Sequence, residues 1–302
     1  MIDASFAALA AARWLHFLAA MLLFGAALFP FYTASNGSTA PAVLNSARRA
    51  LRAAAVLTAV SALAWAAILL TTITGAADSL SDRDTLSAFF FQTGFGKVWA
   101  VRLLLALAVA VVAFVAGDAL FGRTLSTALI AVLTGSLLVS QAWVGHAAAS
   151  DAEVWIVVPA YALHVLGGGA WLGGLVPLGL ALRESRGELG EAHVDHTLHR
   201  FSNVGIVAIA AIVAGGLINV WARWRSLEAL LASTWGDLVL VKATLFAALV
   251  ALAIQNRFQL MPRLSTDRRS RNRLAGNVLI EQVCLLAILG AASLLGITAP
   301  PA

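Results

Sequence analysis

Eight long apolar runs leave this chain little choice of fold. They lie near residues 6–32, 50–76, 97–117, 124–146, 154–182, 202–222, 236–256 and 274–298. A helix needs about 20 predominantly apolar residues to cross the hydrocarbon core of a bilayer, and each run supplies them. In that core a helix satisfies its own backbone hydrogen bonds, which an open sheet or a loop cannot do. Composition agrees, since 61% of the 302 residues are hydrophobic and 12% are charged. A soluble domain of this length cannot bury that much apolar surface. The expectation is an all-α polytopic membrane protein with eight transmembrane helices. The connecting segments at 33–47, 77–96 and 183–201 are too short for a soluble domain, so residues 1–302 read as one transmembrane domain.

Charge sets the expected topology. Thirteen of the 20 Lys and Arg residues fall in or beside the odd-numbered loops: Arg48, Arg49, Arg52, Arg123, Arg183, Arg186, Arg200, Arg257, Arg263, Arg268, Arg269, Arg271 and Arg273. By the positive-inside rule those loops are cytoplasmic, and both termini lie outside. The net charge of +5 and the string RLSTDRRSRNR therefore read as anchorage at the surface of the lipid bilayer, with no nucleic-acid partner. The N-terminus lacks a basic region before its first apolar run, so no cleaved leader is expected. The single cysteine, Cys284, lies within the eighth run and offers no disulfide or thiolate pair.

The two halves of the chain echo each other. RWLHFLAAMLLFGAALFP in the first run aligns with YALHVLGGGAWLGGLVP in the fifth, pairing His16 with His164 and Gly25 with Gly173. GFGKVWAVRLLLAL in the third aligns with TWGDLVLVKATLFAAL in the seventh, pairing Gly96 with Gly236 and Arg102 with Lys242. Four helices separate the members of each pair, so both run the same way. A parallel 4+4 internal repeat follows, with halves of about 1–150 and 151–302.

Ionisable groups inside a membrane are costly and are functional candidates by default. His16 and His164 each lie about ten residues from the outer end of their helices, and His146 ends the fourth run at the same face. Arg13, Arg102, Lys242 and Asn219 share that layer. Imidazole suits copper, zinc, nickel and haem iron, so His16, His146 and His164 are the candidate metal ligands. Met21, five residues after His16, does not share its helical face cleanly. Gly169 and Gly173 form a GxxxG face for close helix approach, and Trp171 reads as packing. On the opposite side, HVDHTLH (His193, His196, His199) reads as a solvated amphipathic connector. Glu281 is the one carboxylate clearly inside a run. No catalytic constellation is present in the sequence, and the chain does not read as an enzyme.

The strings GHA (Gly145 to Ala147), HVLGGGAWLGGLVPL (His164 to Leu178), RFSNVG (Arg200 to Gly205) and WGDLVLVKATLFAALVALAIQNRFQLMPRL (Trp235 to Leu264) make the chain similar to the CopD family of bacterial copper-resistance membrane proteins. The resemblance covers essentially the whole length. It implies a multi-pass protein of the bacterial inner membrane that handles copper, with uptake across the membrane as its usual assignment. It also implies a separate periplasmic copper-binding partner of the CopC type. The suspected ligands of the family are periplasmic histidines, which map onto His16, His146 and His164. Arg13, Arg102 and Lys242 sit awkwardly beside a metal cation. They leave two alternatives open: a membrane cytochrome holding haem b between two imidazoles, or a non-transporting protein that docks a copper chaperone.

Overall fold

A computed structural model describes residues 4–33, 41–121, 124–143, 154–184, 191–223, 226–264 and 267–301. The helices are α1 (Ala4–Thr33), α2 (Pro41–Thr74), α3 (Arg83–Ser87), α4 (Gly94–Val115), α5 (Thr124–Val139), α6 (Val154–Trp171), α7 (Leu175–Glu184), α8 (Glu191–Trp221), α9 (Leu227–Leu231), α10 (Thr234–Gln255) and α11 (Arg268–Leu295). Among the described residues, eight spans are long and apolar enough to cross a membrane: α1, α2, α4, α5, α6 with α7, α8, α10 and α11. No strand occurs among the described residues. The chain is an all-α polytopic membrane protein.

Several helices outrun the apolar segments that announce them. The second begins at Pro41 rather than near residue 50, so Arg48, Arg49 and Arg52 stand on helix. Proline suits a first helical position, where no backbone N–H is needed, and the alanine-rich sequence after it propagates well. The helix of the sixth span likewise begins early, at Glu191. HVDHTLH is therefore the opening of α8, a connector in helical continuity with the span, with His199 exposed and Leu198 buried.

The fifth span departs most from expectation. It is broken at Leu172–Gly174 into α6 and α7. Gly173 and Gly174 are poor helix formers, and Pro177 cannot donate back to the carbonyl of Gly173. Gly173 N instead bonds Gly168 O at 3.2 Å, a wider loop than the α-helical one. Here α1 passes so close that backbone meets backbone. A Cβ on Gly25 would stand 2.5 Å from Gly173 O, and one on Gly173 would stand 2.7 Å from the Met21 carbonyl carbon. The two glycines paired by sequence thus touch each other.

The third and seventh spans also share their local structure. Thr93 caps α4 by accepting from Gly96 N at 2.8 Å, and Ser233 caps α10 by accepting from Gly236 N at 3.0 Å. Each glycine lies against a carbonyl of the short segment before it, Phe89 or Leu230, where a Cβ would not fit. In the interior α1 is the most enclosed span and α10 the least. Helix α1 packs along α2, and α6 along α8. Trp65, Trp99, Phe29 and Leu23 fill the centre. Leu104 and Leu107 of α4 and Ile206 and Val207 of α8 face outward, as lipid contact requires. With eight passes among the described residues, the start of α1 and the end of α11 fall at one end of the bundle.

Candidate functional site

The polar layer expected near the terminal end resolves into two unlike environments. In the first, His16 is fully buried. Its Nε2 stands 2.7 Å from Arg102 Nη2, and its Nδ1 is 3.1 Å from Ser61 Oγ. A guanidinium can only donate, so Nε2 accepts and the ring proton sits on Nδ1. Ser61 Oγ passes its own proton to Thr58 O at 3.1 Å. Arg102 donates a second time to Ser140 Oγ at 2.8 Å, and Ser140 in turn to Leu137 O. An aromatic cage closes the cluster. The His16 ring meets Trp65 edge-on at 5.5 Å, and Trp65 meets Trp99 at 4.9 Å. Arg102 lies 5.3 Å from the Trp99 ring centre and Arg13 lies 4.9 Å from that of Trp65. Cation–π contact offsets part of the cost of holding these charges away from water. In this arrangement neither nitrogen of His16 has a free lone pair for a metal.

His164 is held differently. On α6 its Nδ1 is 2.8 Å from Ile212 O of α8. A carbonyl only accepts, so Nδ1 carries the proton and Nε2 keeps its lone pair. Two glycines of α8 permit this approach. A Cβ on Gly215 would stand 2.9 Å from His164 Cβ, and one on Gly216 would stand 3.2 Å from Nδ1. The glycines after His164 do other work. Gly167 faces Ala208 and Ile212 of α8, while Gly169 faces Phe24 of α1 and Leu138 of α5.

His164 lines a cavity of about 480 Å³ between α1, α6, α8, α10 and α11. Arg13, Tyr161, Arg223 and Lys242 share its walls with Met21, Phe17 and Trp65. Met21 reaches Gly168, one helical turn past His164, which places a thioether on the same wall as the free imidazole. Periodicity hid this, because Met21 answers to a facing helix rather than to His16. His16 and Arg102 do not line the cavity. His146, Asp151 and Glu153 lie outside the described residues. Among the described residues, no three His, Cys, Asp or Glu side chains converge in a way that would hold a metal. His16 and His164 are thus not brought into one site.

That geometry also tests the haem alternative. Ligation by two imidazoles needs a free nitrogen on each, and His16 spends both of its own on Ser61 and Arg102. The residues do not fit a haem held between these two histidines.

At the opposite end of the bundle, Arg257 ties the NRF and RFSNVG strings together. Its two terminal nitrogens donate to Ser202 Oγ at 2.7 Å and Asn203 Oδ1 at 2.9 Å. Glu281, buried on α11, accepts from Asn256 Nδ2 at 3.0 Å where the chain widens into a π-turn over Asn256–Leu260. Asn277 donates to Asn256 Oδ1 and to Gln255 Oε1.

Comparison with known proteins gives this architecture its family. A family model described as copper resistance protein D-like, N-terminal domain, matches residues 1–156, and one described as copper resistance protein D matches residues 195–295. The inner membrane protein YebZ of Escherichia coli (strain K12) is 30% identical over 264 residues, covering 85% of this chain and 86% of that one. This chain belongs to the copper resistance protein D family. Within that family, copper resistance protein D of Pseudomonas syringae pv. tomato is 27% identical over 292 residues, 93% of each chain. The copper transport protein CutJ of Bacillus subtilis (strain 168) is 28% identical over 172 residues, 56% of this chain and 31% of that one. No solved structure matches the chain. Family membership and the eight spans make this a multi-pass inner-membrane protein with a copper-related function.

Proposed function

We propose that this member of the copper resistance protein D family moves copper inward across the inner membrane, through the cavity beside His164. One observation carries the reading. The Nδ1–H of His164 is committed to Ile212 O, which leaves Nε2 as a free base on the cavity wall. The Met21 thioether is a second soft donor on that wall. His164 is the leading ligand, and His146 is a further candidate. His16 joins only by giving up its bond from Arg102.

The charge distribution supports periplasmic termini and a periplasmic mouth. Copper then arrives from a separate periplasmic carrier of the CopC type. The paired segments support two halves that share an ancestor and have diverged in role. One histidine is locked against Arg102, while the other stays open to the cavity. Copper is cargo here, not a resident cofactor, and the protein works as a transporter rather than an enzyme.

The test is copper accumulation in cells expressing wild type, His164→Ala and Met21→Leu, with membrane insertion measured alongside. The expected result is that expression raises cellular copper, that His164→Ala abolishes the rise, and that Met21→Leu reduces it. Full accumulation in the inserted His164→Ala protein would refute the cavity route. A fall in cellular copper on expressing wild type would reverse the direction.

A further inference from the structure

The charged side chains that line the cavity, among the described residues, are all cations: Arg13, Arg223 and Lys242. Their bonding partners are neutral or missing. Arg13 Nε donates to Ser293 O at 3.3 Å, and Arg223 donates to Asn219 O at 2.6 Å. Lys242 has no hydrogen-bond partner among the described residues. A second observation points the same way. Gln141 is 5% exposed and lines the cavity, yet its amide nitrogen is buried without a hydrogen-bond partner among the described residues. Polar groups in such surroundings are normally satisfied, and an orphaned donor needs an explanation. Apart from His164, Tyr161 and Asn219, the remaining wall is largely apolar, including Phe17, Val239, Phe246 and Leu289.

We infer that this cavity binds a ligand with an anionic head, carboxylate or phosphate, and an apolar body. The head is met by Lys242, Arg223, Arg13 and the Gln141 amide, and the body lies along the apolar wall. An ammonium or guanidinium inside a membrane is held at low cost only when a counter-charge or a dense set of acceptors meets it. The described protein atoms supply neither in full. The ligand comes either from the bilayer, as an acidic phospholipid, or from solution, as an organic acid. With an anion bound, the positive field at His164 Nε2 is cancelled, and a metal cation can approach it. The site shares its cavity with the proposed copper path but does not depend on that cargo. Its test contains no copper, so either reading can fail alone.

The experiment uses the purified full chain in a zwitterionic detergent. Decanoate is titrated calorimetrically, with decyltrimethylammonium as the probe of equal chain and opposite charge. Native mass spectrometry records any phosphatidylglycerol carried through purification. Wild type should bind decanoate saturably and not the cation, or retain phosphatidylglycerol, or both. Lys242→Gln and Arg223→Gln should each weaken the binding at least tenfold, while Lys242→Arg stays within threefold of wild type. Lys242→Gln removes an unpaired charge from the membrane, so loss of fold is not its expected failure, and Lys242→Arg controls for shape. Retained phosphatidylglycerol that Lys242→Gln loses assigns the ligand to the bilayer. Decanoate binding without it assigns the ligand to solution. The inference is overturned if neither anion binds, if the cation binds equally, or if both glutamine variants bind like wild type.

Discussion

Replacing Gly25 by alanine tests the closest packing in the molecule. The added Cβ would stand 2.5 Å from Gly173 O, and nearer still to the Gly173 carbonyl carbon and to Gly174 N. Ordinary contact begins near 3.5 Å, so α1 and the broken fifth span must part by roughly 1 Å. These neighbours are backbone atoms and cannot rotate aside. Overpacking of this kind costs about 1–3 kcal/mol, and a gap of that size also forfeits a quarter to a half of each neighbouring dispersion contact. Gly168 is the control. A Cβ there meets only the end of the Met21 side chain, its methyl at 3.2 Å and its sulfur at 3.8 Å, which can swing away. Alanine at Gly168 should then gain about 1 kcal/mol of helix propensity. The two variants should differ by about 2–4 kcal/mol. At roughly 2 °C per kcal/mol for a chain of this size, that is a gap of about 4–8 °C in melting temperature. Circular dichroism melts of both variants in one detergent measure it. Equal melting temperatures would show that α1 does not meet the fifth span backbone to backbone, and the packing argument would fail.

Two further outcomes follow from the polar groups. Glu281→Gln keeps an oxygen for Asn256 Nδ2 and should cost less than about 1 kcal/mol, whereas Glu281→Ala orphans that buried donor and should cost about 1–3 kcal/mol; equal melts for the two would remove Asn256 from the account. The carboxylate of Asp82 caps α3 and is held below its ordinary value by the Thr85 hydroxyl first, then by the Thr85 and Asp84 N–H groups. A lowered folded value means that the cap's stabilisation is complete above the unfolded carboxylate pKa of about 3.9 and fades as pH falls through the folded value. Protection of the Thr85 amide from hydrogen exchange, corrected for intrinsic rate, should therefore drop between pH 5 and pH 2, while Asp82→Ala starts low and shows no such drop. A flat wild-type profile would contradict this.

The eight spans follow from runs of apolar residues, because bilayer thickness converts run length directly into a crossing. The position of His16 and His164 along their helices was readable for the same reason, since rise per residue is fixed along a helix. What each histidine can do was not readable. Sequence made the two alike, by alignment and by depth. Tertiary structure made them opposites: Arg102, 86 residues away, consumes the lone pair of His16, while Ile212 O consumes only the proton of His164. Those partners depend on how neighbouring helices are rotated and set in height, and no periodicity within one helix encodes that. The glycines tell the same story. GGGAWLGG announces close packing, but only the assembled bundle shows that Gly173 meets α1 and that Gly215 and Gly216, on another helix, make room for the imidazole. The sequence by itself determined a membrane bundle with a histidine about ten residues into each of two matching runs; the packing of the helices decided which imidazole keeps a lone pair.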